Sequence, residues 1–140
     1  MPSFKEGNLQ FDFPESFEVC QYDKSHFYVS QHGGFRSIKS GTKAVDFIAF
    51  EALSDELWFI EVKDFRAQQR ENKERQKTEP LVEEIVDKMI FSIAGLFVMG
   101  FNGEGDEKTF AQKALSKSKL RIVFHLEQLS EREVHEIMLT

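Results

Sequence analysis

Two short apolar runs joined by a polar link are the feature that most constrains how this chain can fold. Residues 44–50 (AVDFIAF) and 57–63 (LWFIEVK) are rich in β-branched and aromatic side chains, which favour strands. The link between them, EALSDE, is short and turn-like. The two runs are therefore predicted to form an antiparallel β-hairpin.

Three charged side chains interrupt these apolar strands: Asp46, Glu61 and Lys63. Glu61 and Lys63 are two residues apart, so their side chains point to the same face of the sheet. The other face of that strand is apolar and is predicted to be core; it carries Trp58, Ile60 and Val62.

The register of the hairpin decides where Asp46 lies. If the turn is centred between residues 53 and 54, Asp46 lies opposite Glu61; if it is centred between residues 54 and 55, Asp46 lies opposite Lys63. Both registers place the three side chains on one face, whereas a shift by one residue would turn Asp46 away.

Directly opposed side chains in such a pair have Cβ atoms about 4.5–5.5 Å apart. Two carboxylates at that range repel each other unless a cation lies between them. Hard oxygen ligands of this kind suit Mg²⁺ or Mn²⁺. The alternative is a cross-strand salt bridge on a solvated sheet face.

The region before the hairpin gives one clear strand and one ambiguous stretch. Residues 9–13 alternate between apolar and polar side chains up to Pro14, as a strand does. Residues 17–31 fit either a strand or a short helix capped by Asp23.

The region after the hairpin predicts a long helix, a strand and a final helix. Pro80 is well placed to open the long helix, whose apolar stripe is expected to pack on the sheet through Leu81, Ile85, Met89, Ile93 and Phe97. Residues 108–116 form a short amphipathic piece, 120–126 read as a strand, and Ser130 with Glu133 forms a capping box. The predicted fold is a single α/β domain over residues 1–140: a mixed central sheet with the hairpin, a packed long helix, a further strand and a C-terminal helix.

The string KAVDFIAFEALSDELWFIEVKDFR (residues 43–66) resembles the PD-(D/E)xK nuclease superfamily. Asp46 matches the first acidic position of that family, Glu61-Val62-Lys63 matches its E-x-K, and Val45 replaces its proline. The resemblance implies a restriction-endonuclease-like fold in which Asp46 and Glu61 bind Mg²⁺ with the backbone carbonyl of Val62, while Lys63 orients or activates the attacking water.

The order of elements is similar to that family over residues 43–126. The family usually has an acidic residue on a helix before the first motif strand, and here residues 14–31 must supply it. The candidates are Glu15, Glu18 and Asp23, and Asp23 is preferred as an additional metal ligand.

Charge and composition limit the kinds of partner and cellular environment that can be expected for this chain. A net charge of −6 argues against a broad, non-specific grip on nucleic acid but is compatible with a local basic groove. The charged segment 64–79 is either a solvated face or an arm that contacts DNA phosphates through Arg66, Arg70 and Lys73. A single cysteine, Cys20, excludes an internal disulfide and indicates a reducing cytoplasm, and no stretch is predicted to enter a membrane.

Three hypotheses follow. The first is a Mg²⁺-dependent nuclease that acts on DNA, in a prokaryotic defence or repair system and as a homodimer. The second is a catalytically silent nuclease-fold binding module or subunit of a larger prokaryotic complex. The third is an unrelated α/β interaction protein in which the three charges form a salt bridge. Divalent-metal binding separates the first two from the third, and cleavage separates the first from the second.

Overall fold

The structure, a computed structural model, describes residues 1–64 and 79–127. The strands are β1 (Ser3–Glu6), β2 (Leu9–Asp12), β3 (Phe17–Cys20), β4 (Phe47–Glu51), β5 (Glu56–Asp64) and β6 (Lys119–Glu127). The helices are α1 (His26–Val29), α2 (Glu79–Asn102) and α3 (Gly105–Leu115), with short 3-10 helices at Tyr22–Lys24 and Phe35–Ser37. The predicted C-terminal helix at Ser130 and Glu133 lies outside the described residues, as do residues 65–78 of the charged segment.

The main sheet is mixed. Its strand order is β3-β4-β5-β6, with β3, β4 and β5 antiparallel and β6 parallel to β5. A parallel pair needs a crossover connection, and here the connection contains α2 and α3. The predicted hairpin is β4–β5, and the predicted mixed α/β architecture with a long helix and a further strand is confirmed.

Apolar side chains cover both faces of the sheet. On one face, residues of α2 and α3 pack against Ile48, Phe50, Leu57 and Phe59. On the other, the β1–β2 hairpin packs against Phe47, Ala49, Ile60 and Val62. The core predicted behind Glu61 and Lys63 is therefore present, and the charged residues lie on the face that the helices cover.

The apolar stripe predicted for α2 is wrong in its second half. Leu81 and Met89 are buried and Ile85 is half-buried, but Ile93 is 46% and Phe97 57% exposed. Each i to i+4 step advances about 40° around a helix, so a stripe of four such steps rotates off the sheet. The buried side continues instead through Ser92, Leu96 and Met99. No helix within residues 1–64 and 79–127 is long and apolar enough to cross a membrane.

The N-terminal region contains elements that the alternation did not predict. β1 pairs with β2 around Gly7, whose φ is 60°. In the ambiguous stretch, β3 is a strand and α1 is a short helix. The cap of α1 is Ser25 and not Asp23, because the Ser25 hydroxyl accepts a hydrogen bond from the Tyr28 N–H at 3.3 Å.

Candidate metal centre

Asp46 lies immediately before β4 and is fixed to β5 through its side chain. Phe47 pairs with Ile60, so the next position along the hairpin brings Asp46 opposite Glu61, the first of the two predicted registers. The Asp46 Oδ2 accepts a hydrogen bond from the Val62 N–H at 2.7 Å, and the residue is 6% exposed. The carboxylate is therefore held between the two motif positions of the neighbouring strand.

Glu61 is a fully buried carboxylate, with 0% of its surface exposed. Its Oε2 accepts a hydrogen bond from Lys88 Nζ and lies 3.9 Å from Lys63 Nζ. Its Oε1 accepts no hydrogen bond from an N–H or O–H group of the described residues, and the Asp46 carboxyl group lies within hydrogen-bonding reach of Glu61. Burial, and then the charge of Asp46, raise the pKa of Glu61 to about 8 despite the opposing effect of Lys88.

Two lysines meet over Glu61, one from β5 and one from α2. Lys63 Nζ lies 2.8 Å from Glu84 Oε1, and Lys88 Nζ lies 3.8 Å from the same atom. Burial alone would lower the pKa of Lys88, but the hydrogen bond and charge of Glu61, together with the nearby carboxylates, outweigh burial and raise it. Lys88 is therefore an ammonium group.

A second group of carboxylates meets Asp46 from the N-terminal side. Oxygen atoms of Glu6, Asp23 and Asp46 all lie within 4.8 Å of one another. The Asp23 Oδ1 is buried and accepts no hydrogen bond from an N–H or O–H group in the described part of the chain, and the Asp46 carboxyl group lies within hydrogen-bonding reach of Asp23. Burial, followed by the charges of Glu6 and Asp46, raises the pKa of Asp23 to about 7. Asp46 thus joins two carboxylate groups, one with Glu61 and one with Asp23 and Glu6.

The structure describes the position of every predicted site residue except the three predicted nucleic-acid contacts. Asp46, Glu61 and Lys63 come together, and Asp23, the preferred upstream acid, lies beside Asp46. Glu15 and Glu18 lie elsewhere, since Glu15 pairs with the N-terminal amine and Glu18 with Lys113. Arg66, Arg70 and Lys73 lie outside the described residues.

Three residues that build the centre were not predicted from the sequence: Glu6, Lys88 and Ser92. The hairpin that carries Glu6 could have been predicted, because Gly7-Asn8 between Glu6 and Leu9 is a two-residue hairpin link. The sequence indicates the position of Lys88 less clearly: it lies three residues after Ile85, on the buried side of α2. Ser92 is fully buried, and its hydroxyl accepts a hydrogen bond from the Val45 N–H at 2.9 Å. This bond anchors the residue next to Asp46.

Comparison with known proteins gives one partial similarity. The chain is 31% identical over 155 aligned residues to a cysteine–tRNA ligase of Neisseria meningitidis (serogroup A, serotype 4A). The match covers 94% of this chain and 22% of the ligase, so the chain spans about a fifth of that curated relative. No protein-family model matches the chain. No solved structure matches it either.

Proposed function

We propose that this chain has a restriction-endonuclease-like fold and hydrolyses phosphodiester bonds of DNA with the help of Mg²⁺ or Mn²⁺. The observation that supports this most is the group of carboxyl groups around the buried Asp46. Its oxygens lie within 4.8 Å of those of Glu6 and Asp23, and its charge also acts on Glu61 across the hairpin. A salt bridge of Asp46, Glu61 and Lys63 alone does not account for the two further acidic residues.

The donor set fits a hard divalent cation. Oxygens of Glu6, Asp23 and Asp46 lie close enough together to share one ion. The motif resemblance adds Glu61 and the Val62 carbonyl as ligands. Burial is the main cause of the raised pKa values of Glu61 and Asp23, and the neighbouring carboxylates add to it. A divalent cation among these groups would lower both pKa values. When bound, the ion would polarise the phosphate and lower the pKa of a water molecule.

The protein's own side chains supply positioning and charge. The Val62 N–H holds Asp46 in place, and Lys63 offers an ammonium donor to the attacking water or to a phosphate oxygen. In the reaction the water oxygen forms a bond to phosphorus, one ester P–O bond breaks, and the leaving oxygen takes up a proton. The products are a phosphate monoester and an alcohol.

The nucleic-acid contacts belong to the same proposal. Arg66, Arg70 and Lys73 follow Lys63 along the chain, and they are proposed to contact DNA phosphates. Such contacts give affinity that falls as salt rises and carry no sequence preference.

The second candidate is a catalytically silent nuclease-fold module of a larger protein or complex. The similarity to a segment that makes up 22% of a longer protein favours this reading. A module of this kind would keep the fold and the acidic cluster but would not cut.

Cleavage assays with two nucleic acids test the proposal. Supercoiled plasmid DNA and tRNA are each incubated with the protein in Mg²⁺, in Mn²⁺ and in excess chelator, with Asp46→Asn as the inactive control. The expected result is metal-dependent nicking of the plasmid by the wild type and none by the variant. Cleavage of tRNA alone would change the substrate class, and no cleavage of either would leave the silent module as the better account.

A further inference from the structure

Lys88 is a second lysine in the centre that the E-x-K motif does not include. It projects from α2, is 17% exposed, and donates to Glu61 Oε2. Lys63 Nζ lies 3.9 Å from the same oxygen. Two lysine side chains therefore converge on one buried carboxyl group, one from the strand and one from the helix.

The two lysines have different principal partners. Lys63 is paired with Glu84 at 2.8 Å, whereas Lys88 lies 3.8 Å from Glu84 and makes its closest contact with Glu61. Lys88 contacts only Oε2 of Glu61. A divalent cation on the same carboxylate would repel the Lys88 ammonium. Because a lysine head is a point charge on a flexible four-carbon stem, Lys88 can leave Glu61 without a change in α2.

We propose, on the basis of the nuclease function above, that Lys88 is a second catalytic lysine. In the free protein its ammonium donates a hydrogen bond to Glu61 Oε2. With metal and substrate bound, it donates a charge-assisted hydrogen bond to a non-bridging oxygen of the scissile phosphate. Negative charge grows on those oxygens as the water attacks, so a fixed cation there stabilises the transition state.

Three variants test this role by two measurements. Lys88→Met removes the charge and keeps most of the side-chain length, and Lys88→Arg keeps the charge. Lys113→Ala is the matched control, because Lys113 is half-exposed on α3 and pairs with Glu18 away from the centre. Mn²⁺ affinity is measured by calorimetry, and plasmid cleavage is measured with protein in excess over DNA.

The expected result is that Lys88→Met cuts about 100-fold more slowly than the wild type while binding Mn²⁺ at least as tightly. Lys88→Arg restores most of the rate, and Lys113→Ala behaves as the wild type. Wild-type cleavage by Lys88→Met would overturn the catalytic role alone. Loss of Mn²⁺ binding in Lys88→Met and in Lys88→Arg would mean that Lys88 only holds Glu61 in place. A wild type that does not cut would reject the nuclease function and this role together.

Discussion

At the scale of single residues, the centre depends on carboxylates that the fold forces together. Asp46 is 6% exposed and Glu61 is fully buried. Apolar packing alone does not account for a carboxylate at either position. Lys63 and Lys88 both lie beside Glu61. The carboxylates would bind the metal and the lysines would act on the substrate, so substitutions can test the two roles separately.

Lys63→Ala is expected to separate cleavage from metal binding. A charged lysine has donors and no acceptor, so it cannot be a metal ligand. The variant should lose cleavage by about 100-fold or more and keep its Mn²⁺ affinity, which calorimetry would measure. Asp46→Ala should lose both properties. Equal Mn²⁺ affinity in all three proteins would show that the metal site lies elsewhere.

The free energy of unfolding should depend on pH through Glu61. Its folded-state pKa of about 8 lies above the ordinary value of 4.5, so the folded state holds more protons than the unfolded state between these two values. Without metal, stability should therefore fall as pH rises through that window. Asp23 acts in the same direction, from 3.8 to about 7.

Urea titrations in chelator across this window would measure the effect, with Glu61→Gln as the comparison. The Gln variant should lose part of the pH dependence, since Glu61 no longer titrates. An unchanged slope in the variant would show that Glu61 is not the titrating group.

At the scale of elements, α2 matters most because it closes the helical side of the sheet over the centre. Its Ser92 anchors Val45, and its Lys88 contacts Glu61. Gly95 lets the helix approach Tyr22, since a Cβ there would lie 1.9 Å from the Tyr22 hydroxyl. Tyr22 is the neighbour of Asp23, so the packing of α2 also positions the upstream acid.

Truncations along α2 should show which side is buried. Met89→Ala is expected to lower the free energy of unfolding by about 2–5 kcal/mol, because Met89 is buried in the core. Ile93→Ala, at a residue that is 46% exposed, should cost about 1 kcal/mol or less. Denaturant titrations of the two variants would measure this, and similar losses in both would support the straight stripe that the sequence predicted.

The sequence predicts the features that depend on a local pattern. It does not predict the contacts that join distant segments of the chain. The hairpin and the face shared by Asp46 and Glu61 followed from alternation and from the length of the link. The choice between the two registers did not, because it depends on a turn that tolerates either centre. Glu6 and Lys88 join the centre through β1 and α2, and no spacing in a single sequence measures how those elements pack.

At the scale of the whole molecule, α2 carries an apolar side that faces away from the sheet. Its exposed residues include Val82, Val86, Ile90, Phe97 and Phe101. On β6, the edge of the main sheet, the exposed apolar residues are Leu120, Ile122, Phe124 and Leu126. Large exposed apolar patches often mark protein–protein interfaces.

The chain is expected to form a homodimer, because a nuclease that cuts both strands of a duplex benefits from two sites related by twofold symmetry. Light scattering at high micromolar concentration should give about twice the chain mass of 16.3 kDa. Phe97→Ser should shift the mass towards that of one chain if α2 forms the contact. A monomer mass for the wild type would reject the homodimer.

The most direct test of the metal centre is anomalous diffraction from crystals soaked in Mn²⁺. The predicted result is a peak in contact with carboxylate oxygens of Asp46 and Glu61, with Lys88 Nζ moved away from Glu61. No peak at this position, with Lys88 still bound to Glu61, would contradict the proposed metal centre and leave the three motif charges as a buried salt bridge.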